Sequence, residues 1–205
     1  HQLHRRQRQM CIRDSNSDAI KDIKLYKGGI PAQFGGRVSS VLDIRQKEGN
    51  SKELALTGGI GAISSRLTVE GPTFKDKGSF LLSGRASYAH LFLKLADNNN
   101  SANFYDVNFK TNYTINDKNR LFLSGYLGQD NFSLVNRFSN SYGNISGNLR
   151  WNHIFNDKLF SNLSLIYSQY NYGLQLDIQG LDWKSKINNY NCLLYTSPSP
   201  RDLDL

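Results

Sequence analysis

YDVNFKTNYTI, Tyr105 to Ile115, alternates without a break: Tyr105, Val107, Phe109, Tyr113 and Ile115 share one face with Thr111, while Asp106, Asn108, Lys110, Asn112 and Thr114 share the other. Successive side chains of a strand point to opposite faces, so this period of two predicts a β-strand with one apolar and one polar surface. Its length matches the roughly 9 to 11 residues of a tilted strand that crosses a bilayer. The pattern recurs on either side. Phe80, Leu82, Ala86 and Tyr88 oppose Ser79, Ser83, Arg85 and Ser87, and Ile145, Leu149, Trp151 and Phe155 oppose Asn144, Ser146, Asn148, Arg150 and Asn152. Between the runs stand three related turns, Lys75-Asp76-Lys77, Asn116-Asp117-Lys118 and Asn156-Asp157-Lys158, 41 and then 40 residues apart. A short polar turn between alternating runs is an antiparallel hairpin. The longer intervals, such as Asp97 to Asn103, leave room for larger loops at the opposite end, which predicts an all-β, up-and-down sheet.

Two soluble folds compete with a membrane barrel. A propeller blade shares the period, but packs four short strands into about 40 to 45 residues; here that span holds two long strands and a loop. A sandwich would alternate in the same way, since one apolar face is all its core needs. Tyr88, Tyr105, Tyr113, Trp151 and Tyr167 favour the membrane, because they lie on apolar faces, several near strand ends, where aromatic girdles sit. Mean hydropathy is −0.52. No apolar run approaches the roughly 20 residues of a membrane helix, and the richest, Ala89 to Ala96, is short and carries Lys94. If the chain crosses a membrane, it does so as strands.

Both ends read as translated sequencing adapter. HRRQRQMCIRDS, His4 to Ser15, translates a transposase-type library adapter; CLLYTS, Cys192 to Ser197, translates the other strand of the same transposon end, and PSPRD fits the partner adapter. Residues 1–15 and 192–205 are therefore expected to be artefact, set aside from fold reasoning, and the chain to be a metagenomic fragment. Cys11, Cys192 and Met10, the only cysteines and methionine, fall in those ends, so no thiol or Cys-based metal chemistry is expected in the rest. Without the ends the net charge falls from +8 to +6, and the arginine-rich start carries no nucleic-acid reading.

Ahead of the hairpins, Ile20 to Asn50 reads as strand, glycine-rich turn, strand: Ile23 and Leu25 alternate with lysines up to Gly28-Gly29, Pro31 and Gly35-Gly36 punctuate, and Val38 to Ile44 resumes. KGGIPAQFGGRVSSVLDIRQKEGN, Lys27 to Asn50, resembles the end of the plug domain of TonB-dependent outer-membrane receptors, with Gly28, Gly29, Pro31, Phe34, Gly35, Gly36 and Arg37 as its signature. LTGGIGAISSRLTVEGPTFKDKGSFLLSGRASY, Leu56 to Tyr88, is similar to the first barrel strands of that family's Bacteroidota-type members. Beyond Tyr88 only the hairpin rhythm supports the likeness.

The resemblance implies a division into a plug end at 16–50 and the first barrel strands at 51–191. About seven or eight of the family's roughly 22 strands would be present, as an open sheet. It implies a bacterial outer-membrane protein that takes up a large or scarce nutrient (siderophore, vitamin, oligosaccharide or peptide). Its partners would be the TonB energy-transducing complex acting on a missing N-terminal segment, outer-membrane lipid and a surface lipoprotein, with no nucleic acid. The alternative is a soluble or surface-attached β-sheet protein for adhesion or glycan binding.

Within a plugged lumen, Arg37 is the candidate latch, since a guanidinium can bind a barrel carboxylate in bidentate fashion; Glu70, alternating with Arg66 and Thr68, is one partner, and surface placement of Arg37 is the competing reading. Arg66, Arg85, Asp106, Lys110 and Arg150 are the candidate lumen residues, and Asn98 to Tyr105 and Val135 to Tyr142 the candidate substrate loops. No enzyme, cofactor or metal site is expected. His90 and His153 are isolated, and Ser87, His90 and Asp97 make only a crude hydrolase set.

Overall fold

The computed structural model of the chain describes residues 19–28, 40–73, 77–95, 100–134, 137–156, 159–176 and 180–196. Strands β1 (Ile20–Lys27) and β2 (Ser40–Gln46) form a two-stranded antiparallel sheet. Gly28, at φ 70°, begins the connection between them, a conformation glycine adopts without a Cβ penalty. Eight further strands form one sheet in sequence order: β3 (Ala55–Ile60), β4 (Ser64–Thr73), β5 (Gly78–Ser87), β6 (Ser101–Asn116), β7 (Asn119–Leu134), β8 (Phe138–Asn156), β9 (Leu159–Leu176) and β10 (Leu181–Thr196). Each pairs antiparallel with the next. β3 and β10 are the two edges, so the sheet is open rather than closed into a barrel.

Turn chemistry accounts for the hairpin between β6 and β7. The Asn116 side-chain oxygen accepts hydrogen bonds from the Lys118 amide (3.1 Å) and the Asn119 side-chain amide (2.9 Å), a local bond that substitutes for strand pairing and reverses the chain. Asn50 does the same ahead of β3, accepting from the amides of Lys52 (2.9 Å) and Glu53 (3.3 Å).

The opposite end of the sheet departs from expectation. Ser101 to Tyr105 and Phe138 to Tyr142, read as loop, belong to β6 and β8. The connections after β7 and β9 span only 135–137 and 177–180. Polar composition signals solvent, while ladder hydrogen bonds are made by the backbone whatever the side chains, so polar residues here lengthen hairpins instead of ending them. A true long connection exists only between β5 and β6. There Ala89–Leu95 forms helix α1, its first amide bonded to the Ser87 hydroxyl at 3.3 Å. AHLFLKL has no β-branched residue and Phe92 interrupts its alternation, so it is compatible with a helical turn.

β10 continues through Cys192 to Thr196, paired along Ser161 to Leu165, although the adapter reading sets those residues aside. Backbone pairing carries no information about coding origin.

Register divides the large sheet into two unlike faces. Leu56, Leu67, Leu82, Tyr105, Val107, Leu123, Leu127, Ile145, Leu149, Trp151 and Leu165 lie on one, and all are exposed. The other face carries Thr68, Ser79, Ser83, Asp106, Asn108 and Asn112, all buried. On that side Thr68 and Ser83 share a 2.7 Å hydroxyl hydrogen bond and Asn112 donates to Ser79 at 2.7 Å. Leu81, 1% exposed, is an apolar side chain among them. The polar face is thus the covered one and the apolar face the open one. With an exposed apolar face and two unpaired edges, the chain is expected to sediment as aggregate in detergent-free buffer and to remain dispersed in a mild detergent; a monodisperse species in plain buffer would contradict this.

Candidate functional site: the polar face

The polar face is organised around Asp106. Arg85 stands directly across from it in the β5–β6 register, and its Nε donates to Asp106 Oδ2 at 2.7 Å, with side chains only 17% and 5% exposed. The guanidinium carbon also lies 4.8 Å from the centroid of the Phe104 ring, a cation–π contact that shields the pair from water. Asn108 donates from Nδ2 to the other Asp106 oxygen at 3.4 Å. Above this pair opens a small cavity of about 80 Å³, lined by Arg85, Phe104, Asp106, Tyr126, Asp130 and Tyr142 among others. The cross-strand partner of Asp106 is Gly128, where a Cβ would overlap the Tyr126 hydroxyl, so glycine makes room for that ring. Rings beside a buried acid and a guanidinium suit a ligand with both apolar faces and polar groups.

A second cluster lies toward the short-turn end, where the segment after β2 crosses the face. Gln46 donates from Nε2 to Asn108 Oδ1 (3.3 Å), and Lys110 Nζ donates to the Gln46 carbonyl (2.9 Å). Gly49 lies against the β5 backbone at Phe80 and Leu81. Glu48 reaches Arg120, with Oε2 4.0 Å from Nη2, and is the carboxylate that acts electrostatically on both Lys110 and Arg150. Arg120 and Arg150 place their guanidinium carbons 5.0 Å and 4.3 Å from the centroid of Phe122, itself buried.

Arg66, Glu70, Arg85, Asp106, Lys110 and Arg150 all lie on this one face. Only Arg85 and Asp106 form a direct pair with each other in the contacts above. Gly29, Pro31, Phe34, Gly35, Gly36 and Arg37 fall outside the described residues, and with them the Arg37–Glu70 latch. So does Asp97 of the Ser87–His90–Asp97 set; Ser87 serves the start of α1. His153 lies on the exposed apolar face, its Nδ1 2.7 Å from Asn119 Oδ1, which also accepts from Trp151 Nε1 at 3.0 Å. Sequence reading passed over Gln46, Glu48, Arg120, Phe122 and Tyr126. The last three continue the alternation of β7 on the polar face, so a pattern pass along Asn119–Leu134 would have found them. Gln46 and Glu48 carry no local signal, because their position follows from the path of the chain. Among the described residues no group of three or more His, Cys, Asp or Glu is placed to hold a metal ion. No protein-family model and no curated protein matches the chain.

Proposed function

We propose that the chain is part of a TonB-dependent outer-membrane receptor, a binding and transport protein with no catalytic role. β3–β10 are consecutive wall strands of a larger barrel and β1–β2 the last strands of its plug. The observation that carries this reading is the polarity of the large sheet: a hydrogen-bonded polar face, crossed by the end of β2 and the segment after it, and an apolar face left open. Lipid favours that arrangement, since it solvates apolar side chains and leaves polar ones to a lumen. Along β6 the apolar stripe from Tyr105 to Ile115 advances ten steps. At about 3.3 Å each and a tilt of about 40°, it covers roughly 25 Å, the height of a barrel's apolar band. Polar hairpin extensions beyond Tyr105, Gln129 and Tyr142 would project outside the bilayer, with the Arg85–Asp106 cavity at their base. Cargo would be a nutrient captured there, and a TonB complex would move the plug.

Tryptophan fluorescence tests the reading. The chain has two tryptophans. Trp151 is on the apolar face, whereas Trp183 packs beside Tyr172 on the polar face. In a Trp183→Phe variant folded into vesicles, brominated phosphatidylcholine is expected to remove at least about half of the Trp151 emission seen in ordinary lipid, as for a ring at acyl-chain depth. Unquenched emission with strand circular dichroism intact would favour a soluble or surface-attached glycan-binding sheet instead.

A further inference from the structure

We infer that Lys110, Arg120 and Arg150 form a binding site for a small polyanion, a molecule with two or more carboxylate or phosphate groups, and that Glu48 is its internal occupant. The three cations come from adjacent strands β6, β7 and β8: Arg120 and Arg150 stand over one buried ring, Phe122, which is directly across from Arg150, and Lys110 lies on the same face across from Ser124, two residues farther along β7. Like charges gathered on an apolar ring repel unless an anion joins them. The anion present is a single carboxylate, so the cluster remains positive even with Glu48 in place. Lys21 and Arg45, on β1 and β2, add to that potential; Arg45 is itself paired with Asp43 at 3.3 Å.

Two details mark the site as able to exchange its occupant. Glu48 is loosely held: its contact with Arg120 is 4.0 Å, and the two side chains are 50% and 45% exposed. Arg150 Nε is buried with no hydrogen-bond partner, a donor lacking an acceptor. A ligand carboxylate or phosphate would supply that acceptor and make bidentate bonds that Glu48 does not. Lys110 holds the carbonyl of Gln46 at the end of β2 and Arg120 faces Glu48 just after it, so an incoming anion competes with this stretch of chain for the same cations. Ligand binding and seating of that segment are therefore opposed and reciprocally coupled. Under the uptake reading the polyanion would be cargo; the site itself needs only this geometry.

Citrate is the probe, titrated calorimetrically into the full chain in zwitterionic detergent, with ionic strength matched by sodium chloride to hold screening constant. The wild-type chain is expected to bind citrate, and Glu48→Gln to bind it about tenfold more tightly, a gain that a misfolded variant would not show. Adding Arg150→Gln to Glu48→Gln should weaken binding at least about tenfold. No citrate binding, equal affinity in the wild type and Glu48→Gln, or undiminished binding after Arg150→Gln would each overturn the site. Trp151 quenching is read separately: quenching without citrate binding rejects the anion site alone, and citrate binding without quenching rejects the membrane reading alone.

Discussion

Replacing Arg85 by alanine is expected to destabilise the folded sheet by about 3–5 kcal/mol, because it leaves the nearly buried Asp106 carboxylate without its cation. Asp106 is 3% exposed and has only Arg85 as a charged hydrogen-bonding partner among the contacts described above; Asn108 contributes a long 3.4 Å bond. The loss also removes the guanidinium stacked on Phe104, leaving a void beside the cavity. The effect belongs to breaking the pair and not to losing a favourable charge interaction as such, since desolvating both ions offsets much of their attraction. The double variant Arg85→Met with Asp106→Leu is therefore expected to recover most of the stability. Urea unfolding of the chain in detergent, extrapolated linearly, measures all three. A change under about 1 kcal/mol for Arg85→Ala would mean that Asp106 is solvated or partnered in some other way.

Gly49→Ala should unseat the segment that crosses the polar face. A Cβ at this position would overlap the Phe80 carbonyl oxygen and stand 3.2 Å from the Leu81 nitrogen. Both are backbone atoms of a strand paired on each side, so the strand has little freedom to give. The segment after β2 must move instead. That loosens the Gln46 bonds to Asn108 and Lys110 and withdraws Glu48 from the cations. Overpacking of this kind costs about 1–3 kcal/mol. Trypsin should then cut at Arg45, Lys47 and Lys52 at least about tenfold faster, since cleavage follows the population of the open form. Gly147→Ala is the matched control, because a Cβ there meets nothing within 4 Å. Equal cleavage of Gly49→Ala and Gly147→Ala would show that the segment is not held by this contact.

The legible part of the fold is the part written at short range. Alternation in Tyr105–Ile115 and Ile145–Phe155 assigned strands and faces correctly, because side-chain direction depends only on the neighbour in sequence. Asn116 announced its turn through a bond to residues two and three positions on. The misreading of loops has a physical cause too. Phe138–Tyr142 sets Ser139, Asn140 and Ser141 between two rings, a polar run with the composition of a loop, yet its backbone pairs with β7 along the strand.

What the sequence determined by itself is an antiparallel all-β chain whose strands each separate an apolar from a polar face. An open sheet of about eight strands in chain order is what the turns and the resemblance lead one to expect, and the structure has it; only the tertiary structure decided which segment covers the polar face. It also decided which charges meet. Arg85 finds Asp106 through strand register, and Gln46 reaches Asn108 and Lys110 across 62 and 64 residues. Those encounters depend on how strands align and where a connecting segment runs, and a shift of one residue in register would exchange the faces without altering the alternation of any strand.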